Sequence, residues 1–175
     1  LHNRGFDATL ISGPTNLKIN ENIKLIKVET AEEMFQATQQ NLPADIAIFS
    51  AAVTDFKINK KNTQKIKKSD NLTINLEKNI DILNFISNHN SMRPKLVIGF
   101  AAETNNVEEN ASIKLVNKNC DWIIANDVSK IDSGFESDYN EVTIHYKNDK
   151  KEKLAHRKKS EISEEIVDRI VNLMN

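Results

Sequence analysis

The chain has 175 residues, 39% of them hydrophobic and 28% charged, with a formal charge of −1, which fits one globular domain with its own core. That balance speaks against wholesale nucleic-acid binding, which calls for a basic domain. No apolar run approaches the roughly 20 residues that span a bilayer, and no secretory leader is visible.

Leu1 to Gly5, LHNRG, reads as the last turn of a helix with Gly5 as its C-cap. A domain rarely starts in mid-helix, so the sequence is expected to be residues 1–175 of a domain lacking its N-terminal strand, loop and helix. Strands are expected at Ala8 to Ser12, Lys24 to Val28, Ala44 to Ser50, Leu72 to Leu76, Lys95 to Phe100 and Trp122 to Ala125, several of them the short apolar runs that central parallel strands need. Helices fill the gaps. Thr30 with Glu33 forms a capping box, and Ala31, Met34, Phe35 and Thr38 share a face. Further helices are expected over Ile80 to His89 and Asn106 to Asn117, the latter with Thr104 as candidate N-cap. Glu141 to Tyr146 and Glu152 to His156 flank KNDK as a β-hairpin. An amphipathic helix from about Ile162 closes the chain, with Ile166, Ile170 and Leu173 in one stripe. The alternation implies an α/β fold, a mostly parallel, Rossmann-like sheet flanked by helices.

Lysines crowd one segment, six within Lys57 to Lys68. Like charges repel unless something anionic sits among them, so the run reads either as a basic flap over a phosphate site or as a solvated loop. In parallel α/β sheets, ligands bind outside the carboxyl ends of the strands. That rule selects SAAVTDF after Ser50, GFAAET after the strand at Lys95, and ANDVS after the strand at Trp122. Each combines small residues, which admit a ligand to the backbone, with a carboxylate or amide. Small residues equally serve tight packing of helix on strand. No G-x-G-x-x-G follows a strand, which argues against a dinucleotide-dependent oxidoreductase.

SGPT at 12–15, TAEEM at 30–34, AAVTDF at 51–56, KIKK at 65–68, NIDIL at 79–83, GFAAETNN at 99–106 and ANDVS at 125–129 resemble, in order and spacing, the phosphopantothenate–cysteine ligase domain. That domain is the second half of the bifunctional coenzyme A biosynthesis protein. Phe135 in SGFESDYN fits the same pattern. The resemblance implies CTP-dependent ligation of 4′-phosphopantothenate with L-cysteine through an acyl-cytidylate, with Mg²⁺ accompanying CTP. It implies FMN only where the decarboxylase half is fused upstream. A homodimer is expected, with the C-terminal hairpin as its contact. The competing expectation is a nucleotide-binding module without turnover.

By the same resemblance, Lys65 is the catalytic flap lysine on the nucleotide phosphate and acyl-cytidylate. Ala51 and Asp55 contact the nucleotide, and Asn79, Ile80, Asp81 and Ile82 form the cytidine pocket, with Ile80 where the family has proline. Phe100 lines the pocket, and Lys114 and Lys118 contact CTP. On a helix these two lysines fall within about 20° of Val107, on a face that otherwise looks buried. Taken alone, they read equally as lysines snorkelling at a helix end. Asn126 and Asp127 either edge the site or shape their own loop.

The single Cys120 forms no intrachain disulfide and suits a reducing cytosol, so a cytoplasmic location is expected. It reads as a buried structural thiol, and Trp122 as a core residue. His2, His89, His145 and His156 are expected on helix ends, the hairpin or the surface, without the partners of a triad or a zinc site.

Overall fold

Thr30 opens the first long helix as its sequence predicts. In a computed structural model of the chain, which describes residues 1–59, 73–129 and 137–175, its Oγ1 accepts from Glu33 N at 3.2 Å while Glu33 Oε2 accepts from Thr30 N at 3.0 Å. This reciprocal cap satisfies two backbone donors that a helix start leaves open. At the N-terminus, His2–Arg4 form a single 3₁₀ turn closed by Gly5 at φ 84°, the left-handed conformation that glycine adopts without strain.

In chain order the elements are β1 (Thr9–Ser12), β2 (Lys24–Lys27), α1 (Ala31–Gln40), β3 (Ile46–Phe49), β4 (Phe56–Ile58), β5 (Leu76–Lys78), α2 (Ile82–Ser87), β6 (Leu96–Glu103), α3 (Val107–Asn117), β7 (Trp122–Asp127), β8 (Tyr139–Tyr146), β9 (Lys151–Lys158) and α4 (Lys159–Met174). The central sheet runs β3-β6-β7-β8-β9. Its first three strands are parallel, and β8 and β9 add an antiparallel hairpin. β1 and β2 form a separate parallel pair. The expected α/β fold, a sheet flanked by helices, is what the chain forms.

Alternation along each strand sorts side chains to two faces. Leu96, Ile98, Trp122, Ile124, Val142 and Ile144 pack under Ile162, Ile166 and Ile170 of α4. Leu173 faces outward, and Met174 is the residue that continues this stripe onto the core. On the opposite face Val97, Ala101, Ile123 and Ala125 meet Ala111 and Leu115 of α3. A Cβ on Gly99 would stand 2.8 Å from Ile123 Cδ1 and 2.9 Å from Leu83 Cδ2, so glycine lets α2 close onto the sheet. Cys120 is buried, its thiol pushed up to about 11 by burial, and Trp122 lies in the core.

Three expectations are corrected. The strand expected over Leu72 to Leu76 lies later and apart from the central sheet: Leu72 lies outside the described residues, residues 73–75 are not strand, and Leu76–Lys78 pairs antiparallel with Phe56–Ile58 as a two-stranded ribbon. Its alternation of apolar and polar residues suits a two-faced ribbon rather than a doubly covered strand. GFAAE is strand and not loop, because β6 continues to Glu103 against Asn126 and Asp127. That extension delays α3, which begins after Asn106 at φ 46° and not at Thr104; no side chain caps it. His145 lies on the hairpin as expected, and it is buried there because α3 reaches over that face.

Candidate active site between the strand loops and helices α2 and α3

The chain leaving β3 crosses Ala51 to Asp55, where both named residues are exposed, and enters the ribbon. On the return strand Asn79 fastens the two legs together. Its Nδ2 donates to Thr54 O at 3.0 Å and its backbone N donates to Asp55 O at 2.8 Å. Two residues on, Asp81 caps α2 by accepting from Asn84 N at 2.9 Å through Oδ1. Its other oxygen takes Lys118 Nζ. Ile80 is half-buried and Ile82 is buried at the start of α2.

From α3, Lys114 Nζ donates to Phe100 O at 2.8 Å. Both α3 lysines are therefore turned inward and partly buried, a placement that costs desolvation unless each ammonium finds an acceptor. Lys114 takes a main-chain carbonyl and Lys118 a carboxylate. Such lysines can exchange these acceptors for phosphate oxygens, since an ammonium is a point charge with three rotatable donors. Asn79, Asp81, Ile82, Phe100, Lys114 and Lys118 thus converge where α2 and α3 flank β6, and Asp55 is joined to them through Asn79, while Ala51 is not bonded to them.

Asn126 and Asp127 close β7 opposite Ala102 and Glu103. Asp127 Oδ1 accepts from Ser129 N at 3.0 Å and Ser129 Oγ at 2.6 Å, which shapes the turn, one of the two roles its sequence allows. Lys65 and Phe135 lie outside the described residues. Sequence reasoning missed Arg93. It donates to Ser87 O, Pro94 O, Asn119 O and Asp121 Oδ2 at 2.8 to 3.0 Å, locking the C-terminal end of α2 to that of α3. The available signal was an arginine three positions before an apolar strand, where a guanidinium stays only if its donors are used.

Among the described residues no cluster of three or more His, Cys, Asp or Glu is placed to hold a metal ion, and no helix is long and apolar enough to cross a membrane.

Residues 1–174 match the family described as the DNA/pantothenate metabolism flavoprotein C-terminal domain. The chain belongs to that family. This member of the DNA/pantothenate metabolism flavoprotein C-terminal domain family is similar to the coenzyme A biosynthesis bifunctional protein CoaBC of Haemophilus influenzae, with 41% identity over 170 residues, 96% of this chain and 42% of the relative. Similarity to CoaBC of Escherichia coli is 40% over 173 residues, again 96% and 42%. The chain therefore spans less than half the length of these curated relatives. The crystal structure of the C-terminal domain of a CoaBC aligns at TM-score 0.80 and 33% identity, covering 99% of this chain and 77% of that one. A DNA/pantothenate metabolism flavoprotein from Streptococcus pneumoniae aligns at TM-score 0.80, with 21% identity, over 99% of this chain and 84% of that one, a likeness of fold.

Proposed function

We propose that this family member acts in coenzyme A biosynthesis as the phosphopantothenate–cysteine ligase domain. In this reading the carboxylate of 4′-phosphopantothenate attacks the α-phosphate of CTP. That forms an acyl-cytidylate and releases pyrophosphate, after which the amine of L-cysteine displaces CMP. The observation that carries the reading is the convergence of Asn79, Asp81, Phe100, Lys114 and Lys118 from three separate segments. Two inward ammonium groups beside the 79–82 loop suit a triphosphate next to a pyrimidine, and positioning plus charge stabilisation is most of what phosphoryl transfer requires. In this reading the Asn79 amide and the Asp81 carboxylate meet the cytosine edge in exchange for Thr54 O and Lys118 Nζ, which hold them here, and Ala51 and Asp55 border it. Mg²⁺ would enter with CTP, held largely by phosphate oxygens as that ion usually is, and would neutralise charge there. FMN belongs to this reading only where a decarboxylase precedes the domain.

The test is pyrophosphate release by the complete protein. Release is expected to require both CTP and 4′-phosphopantothenate, and kcat/KM for CTP is expected to exceed that for ATP by at least about 10²-fold, because a pocket built to hydrogen-bond one base leaves polar groups unpaired with another. Equal values for the two nucleotides would reject the cytidine pocket. CTP binding without any release would favour the nucleotide-binding module.

We also propose a homodimer. β9 is a sheet edge, as contact through the hairpin requires. The β4–β5 ribbon offers more apolar surface: Phe56, Ile58 and Leu76 are at least half exposed, with Ile74 continuing the alternation. Direct cross-strand neighbours share a face, so these residues form one patch of the kind that marks a protein contact. Light scattering at micromolar concentration is expected to give twice the chain mass, and Ile58→Lys with Leu76→Lys to give a monomer. A monomeric parent protein would refute the dimer, and an unaffected double variant would return the contact to the hairpin.

A further inference from the structure

Glu103 ends β6 in the crevice that Lys114 and Lys118 border. β6 pairs with β3 no further than Gly99 against Phe49, yet it runs on to Glu103 beside β7, so residues 100–103 have no β3 neighbour. Ala101 packs toward α3, and strand alternation brings Glu103, two positions on, to the same face. Above it, α3 presents one column of side chains at i, i+4 and i+8, namely Asn110, Lys114 and Lys118. Lys118 takes the Asp81 carboxylate, Lys114 the Phe100 carbonyl, and Asn110 Nδ2 donates to Glu103 Oε2 at 3.1 Å. The column covers about 12 Å of helix, with a carboxylate at each end.

The two ends differ. Asp81 already holds an ammonium, that of Lys118. Glu103, partly buried, is braced by the neutral Asn110 amide, which also donates to Asn105 O at 3.1 Å, and among the described residues no cation pairs with it. Its register partner Asp127 turns Oδ1 onto Ser129. A partly buried carboxylate costs desolvation unless donors or a cation complete it. The amide fixes Oε2 and leaves Oε1 for a further donor.

Of the three reactants in the ligase reading, two are polyanions. CTP and 4′-phosphopantothenate bring phosphate and carboxylate groups, which suit the lysines, whereas L-cysteine brings an ammonium, which lysines repel and a carboxylate attracts. We propose that Glu103 receives the ammonium of the incoming amino acid, holding it through Oε1 beside the acyl-cytidylate. This rests on the ligase reading and adds to it the place of the third reactant. Attack then forms the C–N bond and breaks the acyl C–O bond, whose electron pair leaves on CMP, and the nitrogen gives up its two surplus protons to water.

The experiment follows pyrophosphate and CMP separately in the complete protein. In Glu103→Gln the KM for L-cysteine is expected to rise at least about tenfold, the scale of one charge-assisted hydrogen bond, while the KM for CTP and the burst of pyrophosphate without L-cysteine stay within about twofold of the parent. Glu103→Asp, which keeps the charge on a shorter arm, should recover part of the loss. Hydroxylamine, uncharged at pH 7, should intercept the acyl-cytidylate equally fast in parent and variant, because it has no ammonium to be held. An unchanged KM for L-cysteine in Glu103→Gln would overturn the proposal. So would a weakened pyrophosphate burst or a raised Mg²⁺ requirement, the latter making Glu103 a ligand of the nucleotide's metal. A parent protein that releases no pyrophosphate from CTP and 4′-phosphopantothenate would instead refute the ligase reading, and this proposal with it.

Discussion

Arg93→Ala is expected to destabilise the fold by about 3 kcal/mol, the range for removing one partner from a largely buried charged network. At this chain length the loss corresponds to a fall of roughly 6–12 °C in Tm. The guanidinium is three-quarters buried and uses Nε, Nη1 and Nη2 on three carbonyls and the Asp121 carboxylate. Asp121 would keep its bond from Val97 N at 2.8 Å, but Ser87 O, Pro94 O and Asn119 O would each lose a charged donor. Arg93→Lys keeps the charge beside Asp121 without the fork that reaches the carbonyls, so an intermediate loss is expected. Urea unfolding curves for the two variants decide it. A loss below about 1 kcal/mol in Arg93→Ala would mean that water replaces the guanidinium at little cost.

Lys65→Gln is expected to lower pyrophosphate release by roughly 10²–10³-fold in the complete protein, the effect of removing one preorganised charge from a transition state. Lys65 lies outside the described residues, and its proposed role rests on family resemblance and on the lysine run around it. A flap lysine contributes charge to the reaction and little to packing, so Tm should stay at the parent value. Lys67→Gln, two positions along the same run, is the control for a general loss of positive charge. Unchanged turnover in Lys65→Gln with parent-like stability would remove Lys65 from the mechanism and leave the run a solvated loop.

The readable parts of this chain are those whose cause is local. The Thr30 capping box and the Gly5 turn are decided by neighbours within a few residues, and each forms as its sequence states. The strands at Leu96 and Trp122 declare themselves because both faces are covered, which demands an unbroken apolar run. The inward turn of Lys114 and Lys118 follows from helical spacing against Val107 and Ala111. What escaped depended on partners distant in sequence. Phe56–Ile58 looks like part of a loop until Leu76–Lys78 returns to pair with it. The small residues of GFAAE suit a loop over a ligand as well as a strand beneath a helix, and only the register against β7 separates the two. His145 sits on the polar side of an alternating hairpin strand, and nothing nearby in sequence announces that Glu108 and Ser112 come down onto it.

Gly99, Ala101 and Ala125 beneath α2 and α3, with Ala111 on α3 itself, act as a shim of fixed thickness. Lys114 and Lys118 project from that same helix, so their height above the sheet is set by side chains too small and too deep to touch any ligand. Closely packed interiors transmit changes of volume instead of absorbing them. A single methyl added at Ala111 or Ala125 would lift the helix and carry both ammonium groups outward together, away from the Phe100 carbonyl and the Asp81 carboxylate. On the proposed ligase reading, the grip on a polyanion is set from the interior, by residues that no ligand meets.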